Sequence, residues 1–248
     1  MRPFDALLFD LGNTLIYFTG DRPLVLAQAD VVLLQHLKIA GVNLRDEQAF
    51  MEDYRTRLDD YFTAREFAFI EYTTAHILHT LLSDWGYAQV PADLIRSVLR
   101  AMYAVSEAHW QLETDTLPTL TFLQREGYRL GLISNASDDD NVQALVDKAG
   151  IRQYFDFVLS SAAVGFRKPN PRIFTLALEN WSIPPDRAAM IGDTLGADIL
   201  GAKHAGIFSI WLTRRADVPA NAAHADTIQA DAVILTLSEL IQLLSEMR

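Results

Sequence analysis

Six short apolar runs recur along the chain, most of them in its second half: Ala6 to Phe9, Leu130 to Ile133, Phe157 to Leu159, Ala189 to Ile191, Phe208 to Leu212 and Ala232 to Leu235. Each has the length of a strand and lacks clean polar alternation, as a strand covered on both faces of a parallel sheet does. Amphipathic stretches lie between them: Thr119 to Glu126 before Gly127, Asn141 to Ala149 before Gly150, and Ile173 to Asn180. They read as crossover helices, the first two closed by a glycine beyond the last turn. This alternation predicts an α/β fold, a doubly wound Rossmann-like parallel sheet.

Residues 17–113 break that rhythm. They hold no convincing strand and read as successive helices: Pro23 to Ala40, Asp46 to about Arg65, Glu66 to Trp85, and Pro91 to about Trp110. The block carries much of the chain's acidity, with 8 Lys/Arg against 15 Asp/Glu over residues 16–115. The expected organisation is therefore an α/β core of residues 1–16 and 114–248, with an inserted all-helical domain at 17–113. No internal repeat or low-complexity segment interrupts it.

Composition narrows the classes. Half of the 248 residues are hydrophobic, which excludes a disordered chain, and the absence of cysteine excludes disulfide scaffolds and thiolate metal sites. A formal charge of −11 argues against a general phosphate-backbone binder, so no nucleic acid is expected as partner. No run approaches the ~18–20 apolar residues of a membrane span, and Asp5 and Asp10 interrupt the amino-terminal segment before a signal core forms. A soluble cytoplasmic protein without a membrane partner is expected; the oligomeric state is left open.

Loops leaving the carboxyl ends of parallel strands build ligand sites. Four such loops hold unusual residues: Asp10 in DLGNT, Ser134-Asn135, Lys168 before Pro169, and Asp193 with Asp198 in GDTLGAD. Singly, each has a plain structural explanation as a cap, a turn or a solvated charge. Converging on one crevice, these carboxylates, with a hydroxyl, an amide and an ammonium, suit phosphoryl transfer, which needs a nucleophile, a hard cation and donors for the phosphoryl oxygens. Mg²⁺ favours one or two carboxylates plus water and phosphate oxygens, which fits Asp10 and Asp193, braced by Asp198. Asp10 would attack phosphorus, Ser134 and Asn135 would hold the phosphate, and Lys168 would keep the crowded carboxylates ionised.

The segments FDLGNTL, LISN, KPNPRIF and IGDTLGAD followed by GAKHAG resemble, in this order, the four motifs of the haloacid dehalogenase-like hydrolase superfamily. The helical insert after the first resembles that superfamily's C1-type cap, so the likeness covers the whole chain. It implies Asp10 as nucleophile, Ser134 as the second-motif hydroxyl, Lys168 as the third-motif lysine, and Asp193 with Asp198 as the fourth-motif acids. It also implies the backbone carbonyl of Gly12 as a metal ligand. The expected activity is a Mg²⁺-dependent phosphatase acting on a small phosphorylated metabolite.

One position departs from the pattern. Most phosphatases of the superfamily carry a second Asp two places after the nucleophile, as acid to the leaving group and base to water; here Gly12 stands there. Positioned acid–base catalysis is worth ~10²–10⁴-fold. Its loss predicts a preference for leaving groups that need little protonation, such as acyl, anomeric sugar or activated aryl phosphates. Tyr17 and the run Asp138-Asp139-Asp140 are candidate substitutes, with a hinge aromatic and a helix cap as their plain readings. A 2-haloacid dehalogenase and a catalytically impaired phosphate binder are the alternatives, and a phosphosugar mutase is disfavoured by Gly12. The acid pair favours phosphate over the dehalogenase, because substitution at carbon has no use for a cation beside the nucleophile. His36, His76, His79 and His109 lack ligand spacing and read as structural or solvated. Tyr54, Tyr61, Phe62, Phe67, Phe69 and Tyr72 read either as pocket lining or as the core of a helical bundle.

Overall fold

The computed structural model describes residues 2–247, the side chains of residues 66 and 67 excepted. Its strands are β1 (Ala6–Phe9), β2 (Ile16–Phe18), β3 (Trp110–Leu112), β4 (Arg129–Ser134), β5 (Phe157–Ser160), β6 (Ala188–Gly192), β7 (Phe208–Leu212) and β8 (Ala232–Ile234). Its helices are α1 (Arg22–Ile39), α2 (Glu47–Ala68), α3 (Thr74–Asp84), α4 (Ala92–Glu107), α5 (Thr116–Arg125), α6 (Asp139–Lys148), α7 (Ser161–Val164), α8 (Pro171–Glu179), α9 (Leu200–His204), α10 (Pro219–Ala222) and α11 (Leu237–Glu246).

All six apolar runs become strands of one parallel sheet, ordered β5-β4-β1-β6-β7-β8. The chain winds outward from β1 through β4 and β5, then returns to pair β6 with the other side of β1. That reversal places a crevice beyond the carboxyl ends of β1 and β6. Because alternate residues of a strand point to opposite faces, Leu7 and Phe9 pack in one layer with α5, α6 and α11, while Ala6 and Leu8 pack in the other with α8. The expected glycine closures form after α5 and α6, where Gly127 and Gly150 take positive φ of 77° and 66°.

The helical block keeps its own apolar core, centred on Leu33, Leu37, Phe50, Tyr54, Leu78 and Leu81. Two expectations about it are corrected. Residues 17–113 do contain strand: β2 and β3 pair antiparallel, Ile16 with Leu112 and Phe18 with Trp110, at the two places where the chain enters and leaves the block. Strands of three residues are too short to show alternation, and their partners lie far apart in sequence. Nor is Glu66 to Trp85 one helix. α2 runs on to Ala68 and stops at Phe69, which adopts a left-handed conformation with φ 51°, and α3 starts only at Thr74, capped by the Thr73 hydroxyl.

Residues 69–74 form instead a strap across the α/β layer. Ile70 bridges Phe166, Glu71 N–H donates to Gly165 O at 3.0 Å, Arg167 N–H donates to Phe69 O at 3.2 Å, and Thr74 N–H donates to Ser137 O at 2.8 Å. The buried Glu71 carboxylate accepts the hydroxyls of Tyr61 and Ser161, the latter at 2.7 Å, and lies 3.6 Å from the Arg167 guanidinium. Ribbon and strap together fix the helices over the crevice.

The glycine in GAKHAG has a packing reason. A Cβ on Gly201 would stand 2.6 Å from the Phe174 ring and 3.0 Å from the Pro169 backbone, so α9 approaches the loop of Lys168 more closely than any side chain allows. Gly201→Ala is expected to destabilise the fold by about 1–3 kcal/mol, read as a Tm lowered by roughly 2–10 °C; an unchanged midpoint would show that this approach has slack.

Candidate active site

The crevice gathers the residues picked from the four loops. Asp10 follows β1 directly, its N–H donating to Ile191 O at 2.9 Å, so the neighbouring strand holds the backbone that carries this carboxylate. The next residues fold tightly: Leu15 N–H returns to Leu11 O at 2.9 Å, and Asn13 takes a left-handed turn with φ 57°, which asparagine tolerates better than most residues. On the other flank Asp193 follows β6. Its backbone carbonyl accepts the Trp211 indole N–H at 2.9 Å and the Asn221 amide at 2.8 Å.

Asp198 lies one turn further on, in a π-type turn spanning Leu195–Ile199. Thr194 N–H donates to its Oδ2 at 3.0 Å. Gly192 makes room for it, since a Cβ there would collide with the Asp198 carboxylate. One oxygen from each of Asp10, Asp193 and Asp198 lies within 4.8 Å of the others, and all three residues are buried.

Lys168 reaches this cluster from the far side and is buried to 2% exposure. Its Nζ donates to Asp10 Oδ1 at 2.6 Å and to Ile133 O at 2.8 Å, and lies 2.7 Å from Asp198 Oδ1. Asn135 brackets the Lys168 backbone, accepting its N–H at 2.8 Å and donating to its C=O at 2.9 Å. The amide expected only to hold phosphate thus also positions the lysine. Ser134, nearly buried, lines the same cavity of about 390 Å³ as Asp10, Gly12, Asn135, Lys168, Asp193 and Asp198.

One ammonium against three carboxylates leaves an excess of negative charge in a dry place. Burial pushes Asp10 up to about 6, the Asp198 charge adding to it while Lys168 opposes. Burial also pushes Asp193 up to about 8, reinforced by Asp10 and Asp198. For Lys168 burial works against the charge, yet Asp10 and Asp198 outweigh it and raise the ammonium above its ordinary value. A polyvalent cation among these oxygens would relieve the strain.

The substitutes considered for the missing acid fall differently. Tyr17 lies on β2 with the Arg215 guanidinium 3.8 Å over its ring and is absent from the cavity wall. Asp138 caps α6, accepting Asn141 N–H at 2.9 Å, and also lines the cavity. Tyr54 and Tyr61 belong to the helical core, Phe62 and Tyr72 are exposed, and Phe69 lines a neighbouring cavity; the Phe67 side chain lies outside the described residues. His76 stacks on Tyr72 and His109 on Phe18.

Sequence reasoning missed four contributors. Asn221, buried on α10, ties the loop together by accepting Leu195 N–H at 2.7 Å and donating to Asp193 O. Arg167 and Arg22 also line the cavity. Trp110 stands beside Gly12, where an added Cβ would lie 3.4 Å from its ring. Of these only Arg167 carried a signal, its adjacency to Lys168.

A family model described as haloacid dehalogenase-like hydrolase matches residues 4–206. The chain is 29% identical to haloacid dehalogenase-like hydrolase domain-containing protein 3 of Mus musculus, over 95% of this chain and 91% of that one. It is also 29% identical to a glyceraldehyde 3-phosphate phosphatase of Methanothermobacter thermautotrophicus, over 97% and 98%. Among solved structures, a 2-haloacid dehalogenase of Pseudomonas syringae pv. Tomato shares the fold with a TM-score of 0.69 at 24% identity, covering 99% of this chain and 100% of that one.

Carboxylates whose folded pKa lies above the unfolded value make the native state bind more protons than the unfolded one, so stability falls as pH rises. In a chelator, the Tm is therefore expected to drop as pH goes from about 4 through about 8, the window set by Asp10 and Asp193. Asp193→Asn, which removes one like charge, is expected to raise the metal-free Tm at pH 8 by about 4–8 °C, on the order of 2 kcal/mol. A variant less stable than the parent under chelator would contradict this electrostatic account.

Proposed function

The chain belongs to the haloacid dehalogenase-like hydrolases, and on that premise we propose that it is a Mg²⁺-dependent phosphatase which cleaves a small phosphorylated metabolite through an aspartyl phosphate on Asp10. The observation that carries this reading is the set of three buried carboxylate oxygens within 4.8 Å, left with excess negative charge beside one ammonium. Hard oxygen donors of this kind suit Mg²⁺, held by Asp10, Asp193 and the Gly12 carbonyl, with Asp198 as the further acid of the set. When bound, the ion supplies charge neutralisation for the phosphoryl oxygens and the acids. The phosphatase named among the relatives supports the same class.

The remaining work falls to the chain. Lys168 donates to Asp10 Oδ1, and the carboxylate anchored in this way is the attacking group. Attack forms the Asp10 O–P bond while the ester P–O bond breaks, and the alcohol oxygen departs with the bonding pair. Ser134 and the Asn135 amide supply donors for the phosphoryl oxygens, and Asn135 keeps Lys168 in register. Water then attacks phosphorus, phosphate leaves, and the carboxylate returns. Residues 17–113 serve as the cap, closing over the crevice through the β2–β3 ribbon and the 69–74 strap and excluding bulk water.

A haloacid dehalogenase is the second reading, favoured by the shared fold and by Gly12. The acid pair Asp193 and Asp198 weighs against it.

A panel of phosphorylated metabolites and 2-haloacids, assayed with Mg²⁺ and with EDTA, separates the two. Phosphate release is expected only with Mg²⁺, halide release in neither condition. Asp10→Asn is expected to lower phosphatase turnover at least ~10³-fold, the scale of losing a nucleophile. Turnover by that variant at the parental rate, or halide release that persists in EDTA, would overturn the phosphatase reading.

A further inference from the structure

Position 12 carries no carboxylate. A Cβ at that position would rest in van der Waals contact with the Trp110 ring, 3.4 Å from Cη2 and 3.6 Å from Cζ3. The indole is thus the immediate neighbour of the place where the acid would stand. The ring is held in place: Trp110 pairs with Phe18 across the β2–β3 ribbon, and the two rings meet edge to face at 5.5 Å. Beside it the cavity wall continues with Ile16, Tyr103, Val142 and Leu145.

Two further proton-bearing groups of the wall have partners of their own. The Tyr103 hydroxyl is bonded to Thr74 Oγ1 at 2.7 Å, so the cavity is offered its ring. The Asp138 carboxylate caps α6. An aromatic and aliphatic stretch of wall therefore adjoins Gly12, with Arg22 and Arg167 also lining the cavity, and position 12 itself has no carboxylate to protonate a departing alkoxide.

We propose that the substrate is the phosphate ester of an acidic hydroxyl on a planar unsaturated skeleton, a phenol or an enol, whose carbon frame lies against Trp110. This rests on the phosphatase reading and narrows it. A phenolate departs from an oxygen with a pKa near 10, whereas an alkoxide departs from one nearer the ~16 of water. Only the first leaves readily with the bonding pair and no proton. The flat frame matches an indole wall, where ring pairs are favourable beyond the area they bury. Atoms balance without a further reactant: Asp10 takes the phosphoryl group, the phenolate or enolate leaves as the anion, and it collects a proton from solvent.

Three esters separate the two halves of the proposal in steady-state assays with Mg²⁺. Phenyl phosphate has the ring and the acidic oxygen, benzyl phosphate the ring alone, and acetyl phosphate a good leaving group alone. Phenyl phosphate is expected to exceed benzyl phosphate in kcat/KM by at least ~10²-fold, the lower scale of a lost acid. Trp110→Leu is expected to raise KM for phenyl phosphate about 5–10-fold relative to acetyl phosphate, with Trp110→Phe recovering most of the difference. Asp138→Asn keeps a good helix cap and is expected to leave the slope of rate against leaving-group pKa as it was.

Benzyl phosphate turned over as fast as phenyl phosphate overturns the proposal. So does a Trp110→Leu variant that raises both KM values alike, or an Asp138→Asn variant with a steeper slope, which would place the acid at 138. In these three cases acetyl phosphate is still hydrolysed and the phosphatase reading stands. If no ester is turned over and no phosphoenzyme forms at Asp10, that reading fails and the substrate class falls with it.

Discussion

The site depends on one buried ammonium. Lys168 is in direct contact with two of the carboxylates that close on the crevice, and a carboxylate stripped of water with no counter-charge is too costly to keep ionised. The surroundings are arranged to deliver that amine to one point. Asn135 clamps its backbone from both sides, Ile133 O takes one of its protons, and Gly201 lets α9 press against the adjoining loop. Removing the amine would leave Asp10 and Asp198 facing each other in a dry pocket.

That compensation is incomplete, and the shortfall is where the chemistry lies. Three acids beside one base leave a site that is strained when empty and eager for positive charge, the opposite of what folding stability alone would select. Asp198 reaches the cluster only because Gly192 lacks a side chain, and the loop between is tied down by Asn221 from a distant segment. Asp231 shows the contrast: its carboxylate accepts both the N–H and the hydroxyl of Ser209, at 2.8 and 2.6 Å, and those bonds hold it below its ordinary pKa.

Much of this was legible in the sequence, for reasons that differ by element. The six core strands could be read because strands buried on both faces become continuous apolar runs; β6 is buried throughout and β4 from Leu130 onward. The picked residues of the site could be read because charged groups at the ends of such runs are out of place in a core. The β2–β3 ribbon was hidden by its brevity. The strap at 69–74 was hidden because its aromatics continue the spacing of α2, and because Phe69 takes a left-handed turn where a glycine would have flagged the break. Asn221 gave no sign, since it acts on backbone groups that only the folded chain brings near. The setting of position 12 was half visible: the glycine stood in the sequence, while the ring beside it came from a strand at the other end of the helical insert.

That ring has a mechanical consequence. Trp110 travels with β3, which leads out of the helices, whereas Asp10 is fastened to the middle of the sheet. The aromatic wall and the acid it faces are thus carried by different parts of the fold, joined through the β2–β3 ribbon and the 69–74 strap. Any change in how the helices sit on the sheet would reshape the cavity at the indole while leaving the carboxylate where the sheet holds it.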